Sequence, residues 1–110
     1  MFEFGSIILV PFPFSDLSHA KVRPALIVSR YNPKNDEVIL CFITSKVTRE
    51  KEGLILQPGD GSGVKVRSCI RFDKMVTLSK KIILGEIGKV EPKRLQKQAA
   101  SFFGIFGFDV

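Results

Sequence analysis

The chain has 110 residues, of which 45% are hydrophobic, and a formal charge of +6. That is enough apolar material for one core, so a single domain over residues 1–110 is expected. No apolar run approaches the ~18 residues of a membrane span. The N-terminus, MFEFGSIILV, carries an acid at Glu3 and no basic stretch, so neither a membrane partner nor a secretory signal is expected. Two cysteines without CxxC spacing and one histidine argue against a zinc site, and no cofactor is expected. Cys41 and Cys69 lie in apolar runs and read as buried thiols of a reducing, cytoplasmic compartment, with a disulfide between them left open. The charge is concentrated. Residues 46–81 hold nine Lys or Arg against four acids, a net +5. Such a field attracts polyanions, although a solvated basic face would look the same in sequence.

A first strand is expected over residues 6–12, apolar enough to be buried on both faces. Residues 11–22, PFPFSDLSHAKV, read as a long loop because Pro, Ser, Asp and His dominate it. A second strand follows at 23–29, with Pro24 at its start or on an edge because proline lacks a ladder donor. NPKND is turn chemistry. EVILCFIT, residues 37–44, is β-branched and aromatic, hence a third strand. Shorter or longer strands are expected at 53–57, 67–78 and 82–87, with PGDGSG as a turn. That segment lacks the GxxxxGK[ST] spacing of a phosphate loop and does not open a helix. After Pro92 the period changes. Leu95, Ala99, Phe102, Phe103 and Phe106 mark one face of a helix that Gly104 and Gly107 end. The fold class is therefore mainly β. A small, curved antiparallel sheet or barrel of five to seven strands is closed by one C-terminal helix.

Three places could carry chemistry. Lys21-Val22-Arg23-Pro24 joins the long loop to a strand, and Pro24 confines Arg23 to extended backbone. A guanidinium held there is either a phosphate ligand or an ordinary surface arginine. Thr44-Ser45-Lys46 leaves a core strand and offers two hydroxyls and a cation, or else a plain strand-ending turn. Arg71 and Asp73 share one face of a strand while Phe72 takes the other, so the two charged groups meet a ligand or pair with each other. Phe12 reads as core. Phe14, between Pro13 and Ser15, is the better candidate for stacking on a nucleobase, and Tyr31 is a third. Ten phenylalanines are hard to bury in one small protomer, which favours a protein partner.

In order, these segments resemble the MazF/PemK family of toxin–antitoxin ribonucleases. The matching pieces are Gly5, Ile7 and Val10 in the first strand, VRPALIVS, ITS, SCIRFDKMVTL and IGKV, followed by the helix. The resemblance implies an SH3-like barrel that forms a homodimer. It also implies sequence-selective cleavage of single-stranded RNA without metal and a cognate antitoxin as partner. It places Arg23 and Thr44 in the active site and makes Arg71 and Asp73 a catalytic pair. His19, Lys21, Ser45, Lys46 and Phe14 become RNA contacts. The implied reaction is attack of the ribose 2′-OH on the adjacent phosphorus, for which Asp73 and His19 are the chemically reasonable bases. The chain departs from the family pattern at Gly5-Ser6, where an acid often follows the glycine, and in the composition of the loop after the first strand. A non-catalytic nucleic-acid-binding barrel is the alternative. A same-fold toxin acting on gyrase is another, disfavoured because the chain has no Trp.

Overall fold

The computed structural model describes residues 2–12, 21–47 and 53–109. Six strands form one antiparallel sheet: β1 (Ser6–Phe12), β2 (Lys21–Ile27), β3 (Glu37–Thr44), β4 (Ile55–Leu56), β5 (Ser68–Ser79) and β6 (Gly85–Lys89). Their spatial order is β4-β5-β3-β2-β1-β6, so the N-terminal strand lies inside the sheet. The sheet is strongly curled, and each of its faces holds a core. Ile7, Leu26, Cys41, Ile43, Ile70 and Phe72 belong to one. Ile8, Val10, Ala25, Ile27, Val38 and Leu40 belong to the other, which Ile82 and Ile83 help to cover. Period-2 alternation thus serves two apolar faces, which is why β1 reads as a continuous apolar run.

Strands β1 and β3 have the bounds expected from sequence, whereas the loop after β1 is shorter than expected. Pro11 and Phe12 extend β1 and pair with Val22 and Lys21. Pro24 therefore lies within β2, opposite Leu9, and not at its start. His19 and Phe14 lie outside the described residues. The C-terminal helix is two short ones, α1 (Pro92–Gln96) and α2 (Ala99–Gly104). The chain is pinched between them by a three-residue bond from the Gln98 N–H to the Leu95 carbonyl, 2.8 Å long. Phe102 of α2 packs edge-on against Phe72 of β5 at 5.5 Å, so the helical face still closes the core. Cys41 and Cys69 are buried and not disulfide-bonded. Burial, with help from the Asp73 charge, pushes the Cys41 thiol up to about 12, so it stays protonated and inert.

The segment between β4 and β5 is held close to β6. Gly61 accepts from the Lys89 N–H at 2.9 Å. Gly63 has φ +83°, and a Cβ there would overlap the Ile87 carbonyl. Both the backbone conformation and the close approach require glycine. Gly63→Ala is expected to cost about 1–3 kcal/mol of stability, read as a lowered urea midpoint with an unchanged slope. An unshifted midpoint would show that this approach is not a constraint.

Candidate active site

The backbone of β2 determines where the sheet opens. The Val28 N–H donates to the Ile39 carbonyl at 2.9 Å, so even-numbered residues of β2 turn their backbone groups toward β3. Pro24 is one of these, and it has no N–H to give. The β2–β3 ladder ends one residue earlier, at Ala25↔Phe42. Beyond that rung β2 continues only along β1, to Lys21, while β3 continues along β5, to Thr44. The two strand ends bound an open cleft of about 800 Å³, lined in part by Arg23, Pro24, Ile43 and Thr44. Continuing the β2–β3 register by two residues brings Arg23 level with Thr44, so both side chains belong to the same face.

The chain turns immediately after Thr44. The Thr44 Oγ1 accepts from the Lys46 N–H at 3.1 Å, which fixes the oxygen and leaves the hydroxyl proton free to donate outward. Ser45 and Lys46 follow on the cleft rim. Gly63, Val64, Lys65, Val66 and Ser68 form a wall of the cleft, and Lys74 enters from β5. Phe12 and Phe42 form an apolar surface in the cleft, their rings 5.2 Å apart. Phe12 is 44% exposed, so the expectation that it is a core residue is corrected: the strand carries it past the core to the cleft mouth.

Of the residues singled out from sequence, Arg23, Thr44, Ser45 and Lys46 come together here. Lys21 is exposed at the beginning of β2 and is not part of the lining. Tyr31 is elsewhere, under the Lys80 ammonium at 5.9 Å. Arg71 and Asp73 do not line the cleft. They pair with each other, Arg71 donating from Nε at 2.8 Å and from Nη2 at 2.6 Å to the two carboxylate oxygens. The hydrogen bond from Arg71 holds the Asp73 carboxyl below its ordinary value. Lys65 and Lys74 were not singled out from sequence. Among the described residues, Arg23, Lys46, Lys65 and Lys74 make no ion pair, so the cleft gathers four cations, of which Lys74 feels the field of Asp73.

The wall from Gly63 to Ser68 is held from behind. Asp60 accepts from the Gln57 N–H at 2.9 Å, from the Ser62 N–H at 2.9 Å and from the Ser62 hydroxyl. Arg94 of α1 donates to the same carboxylate at 3.0 Å and to the Ile55 carbonyl of β4 at 2.6 Å. Partial burial pushes the Asp60 carboxyl up, but the bonds from Ser62, Gln57 and Arg94 outweigh it and hold the group well below the usual carboxylate range. One arginine therefore ties helix, strand and wall together.

The family model for the PemK-like, MazF-like toxin of type II toxin–antitoxin systems matches residues 3–102. The chain belongs to this family. Solved structures share its fold at low identity. The Mycobacterium tuberculosis toxin MazF-mt6 superposes with a TM-score of 0.79 at 20% identity, covering 96% of this chain and 99% of that one. MazF in a MazE–MazF structure from Deinococcus radiodurans gives 0.76 at 18% identity, over 97% and 96%. A mycobacterial endoribonuclease in complex with its cognate antitoxin gives 0.72 at 18%, over 98% and 95%. No curated protein matches the sequence closely enough to count as a relative. Among the described residues no helix is long and apolar enough to cross a membrane.

Replacing Arg94 by Met should leave the sheet intact and loosen the wall. Amide exchange should rise across residues 61–68 while β1 and β2 stay protected, with a stability loss of about 1 kcal/mol. Equal protection in both proteins would mean that the arginine does not hold the wall. Because the folded carboxyl of Asp60 titrates below its unfolded value, its contribution is whole above about pH 4 and is lost as pH falls toward the folded value. Asp60→Asn should therefore lower stability at neutral pH and flatten the acid limb of the stability curve.

Proposed function

We propose that this chain is the toxin of a toxin–antitoxin pair, an endoribonuclease that cuts single-stranded RNA at short motifs. The observation that carries the reading is the cleft itself, which gathers Thr44 with four cations, Arg23, Lys46, Lys65 and Lys74, that make no ion pair among the described residues. Clustered cations repel one another, and a bound polyanion relieves that repulsion. Family membership, and the likeness in fold to a mycobacterial endoribonuclease, support RNA as the polyanion.

The chemistry proposed is transesterification. The ribose 2′-oxygen attacks the adjacent phosphorus, the bond from phosphorus to the 5′-oxygen breaks, and a proton moves from the 2′-OH to a base while another reaches the 5′-oxygen. The products are a 2′,3′-cyclic phosphate and a 5′-OH, and no step requires a metal. The planar fork of Arg23 matches two phosphoryl oxygens and would stabilise the charge that builds on them. The free Thr44 O–H would donate to the same phosphate and orient it. Ser45 and Lys46 would contact the neighbouring nucleotide, and the Phe12–Phe42 surface would take a base. Asp73, already engaged by Arg71 and lowered in basicity, is a weak proton acceptor, and the reading turns to His19 for that part. Arg71 and Asp73 would act by fixing the course of β5 rather than by meeting RNA.

The partners follow from the same reading: a cognate antitoxin and a second copy of the chain in the cytoplasm. Phe103, Phe106 and Phe108 are exposed around α2 and offer apolar surface to a protein partner.

The test is incubation of antitoxin-free protein with long single-stranded RNA in excess EDTA. Cleavage at a repeated short motif, with 5′-OH ends, is expected. Arg23→Ala should lower kcat/KM at least about 100-fold, in the range seen when a group stabilising transition-state charge is removed. Products with 5′-phosphates would exclude the transesterification. Tight binding without cleavage would leave the non-catalytic barrel.

A further inference from the structure

Strand β5 departs from regular pairing beside the cleft. Its register with β3 runs through Cys41↔Met75 and resumes at Ile43↔Ile70, so four residues of β5, Arg71 to Lys74, face the single residue Phe42. A bulge of this kind bends its strand and re-aims side chains, and bulges recur beside active sites. Here it delivers Lys74 to the cleft lining, next to Phe42. Lys74 is exposed and, among the described residues, makes no ion pair or hydrogen bond. Its neighbour Asp73 is held by Arg71 through both carboxylate oxygens and acts on the ammonium only through its field, without an ion pair.

The position of Lys74 along the strands has a consequence for ligand register. Phe42 pairs with Ala25, and Arg23 and Thr44 stand two residues further along their strands. Two residues of strand span roughly 6.5–7 Å. That is comparable to the step between successive phosphates of an extended single strand. A chain whose reacting phosphate lies between Arg23 and Thr44 would present its next phosphate near Lys74.

We infer that Lys74 is the binding residue for the phosphate adjacent to the one cleaved, setting the register of the RNA strand in the cleft; the inference rests on the proposed ribonuclease reading. Lys74 acts as a point charge on a non-reacting phosphate, so its contribution is to binding and not to the chemical step. The bulge supplies the geometry, and the Arg71–Asp73 pair keeps the ammonium available.

The test uses Lys74→Gln, Lys74→Arg and the wild type, with two readouts. Binding of a short 2′-O-methyl RNA, which cannot undergo the 2′-OH attack, is followed by fluorescence anisotropy over a range of salt concentrations. Cleavage of the unmodified RNA gives KM and kcat. The glutamine variant is expected to reduce the slope of log K against log salt by about 0.7, the value for one phosphate contact of a single strand. It should raise KM about fivefold with kcat within about twofold of wild type, and the arginine variant should restore both. An unchanged salt slope, or a fall in kcat with KM unchanged, would overturn the assignment. If the wild type cleaves nothing yet the slope still falls in Lys74→Gln, the cleavage reading fails and Lys74 remains a phosphate ligand. If the wild type cleaves and Lys74→Gln matches it in slope and KM, the ribonuclease reading stands and the inference falls.

Discussion

A missing hydrogen-bond donor shapes the working face of this protein. Pro24 sits in the interior of the sheet, on a rung whose backbone faces β3, and it has no proton to offer the Ile43 carbonyl. The ladder between β2 and β3 stops there, while each strand continues with its other neighbour. The two strand ends become the lips of a cleft, with Arg23 on one and Thr44 on the other. Proline is normally excluded from inner strands because it costs a ladder bond. In this fold the lost bond coincides with the opening.

The distribution of charge follows the same division of labour. Lys89 pairs with Glu3, Arg94 with Asp60 and Arg71 with Asp73, and none of these residues lines the cleft. Exposed pairs of this kind contribute little apiece, except where one arginine ties several elements, as Arg94 does. The cleft instead holds cations that make no ion pair among the described residues. That arrangement lowers the stability of the unliganded protein and raises its affinity for an anion. Such a trade belongs to a binding surface rather than to a structural one. The hydroxyl of Thr44, fixed through its oxygen by the Lys46 N–H, adds direction to what would otherwise be a diffuse field.

Much of this was legible in the sequence, and the parts that were not have physical causes. The apolar run of β1 and the β-branched run of β3 specified their own bounds. The Arg-Pro step and the Thr-Ser-Lys strand end were visible as local chemistry, and they meet in the cleft because their strands are neighbours. Phe12 was misplaced because it ends an apolar strand, and that strand runs past the core to the cleft mouth. Lys74 was missed because strict alternation puts it on the same side as Phe72, which is buried. Only the bulge, a product of pairing with β3, frees it from that face. A lysine at a position that alternation turns inward was the available signal. Lys65 reaches the cleft through the Gly61–Lys89 and Asp60–Arg94 contacts, which join segments far apart in sequence and leave no local trace.

A single RNA strand bound in the opening between β2 and β3, as proposed, would perturb the backbone amides that line it. The most direct measurement is a two-dimensional amide NMR titration of the isotopically labelled protein with a 2′-O-methyl RNA oligonucleotide. The largest shift changes are expected on Val22, Arg23 and residues 42–46, 63–68 and 74, leaving α1 and α2 nearly unmoved. Changes centred on the C-terminal helices, with Val22, Arg23 and residues 42–46 unaffected, would contradict RNA binding in the opening.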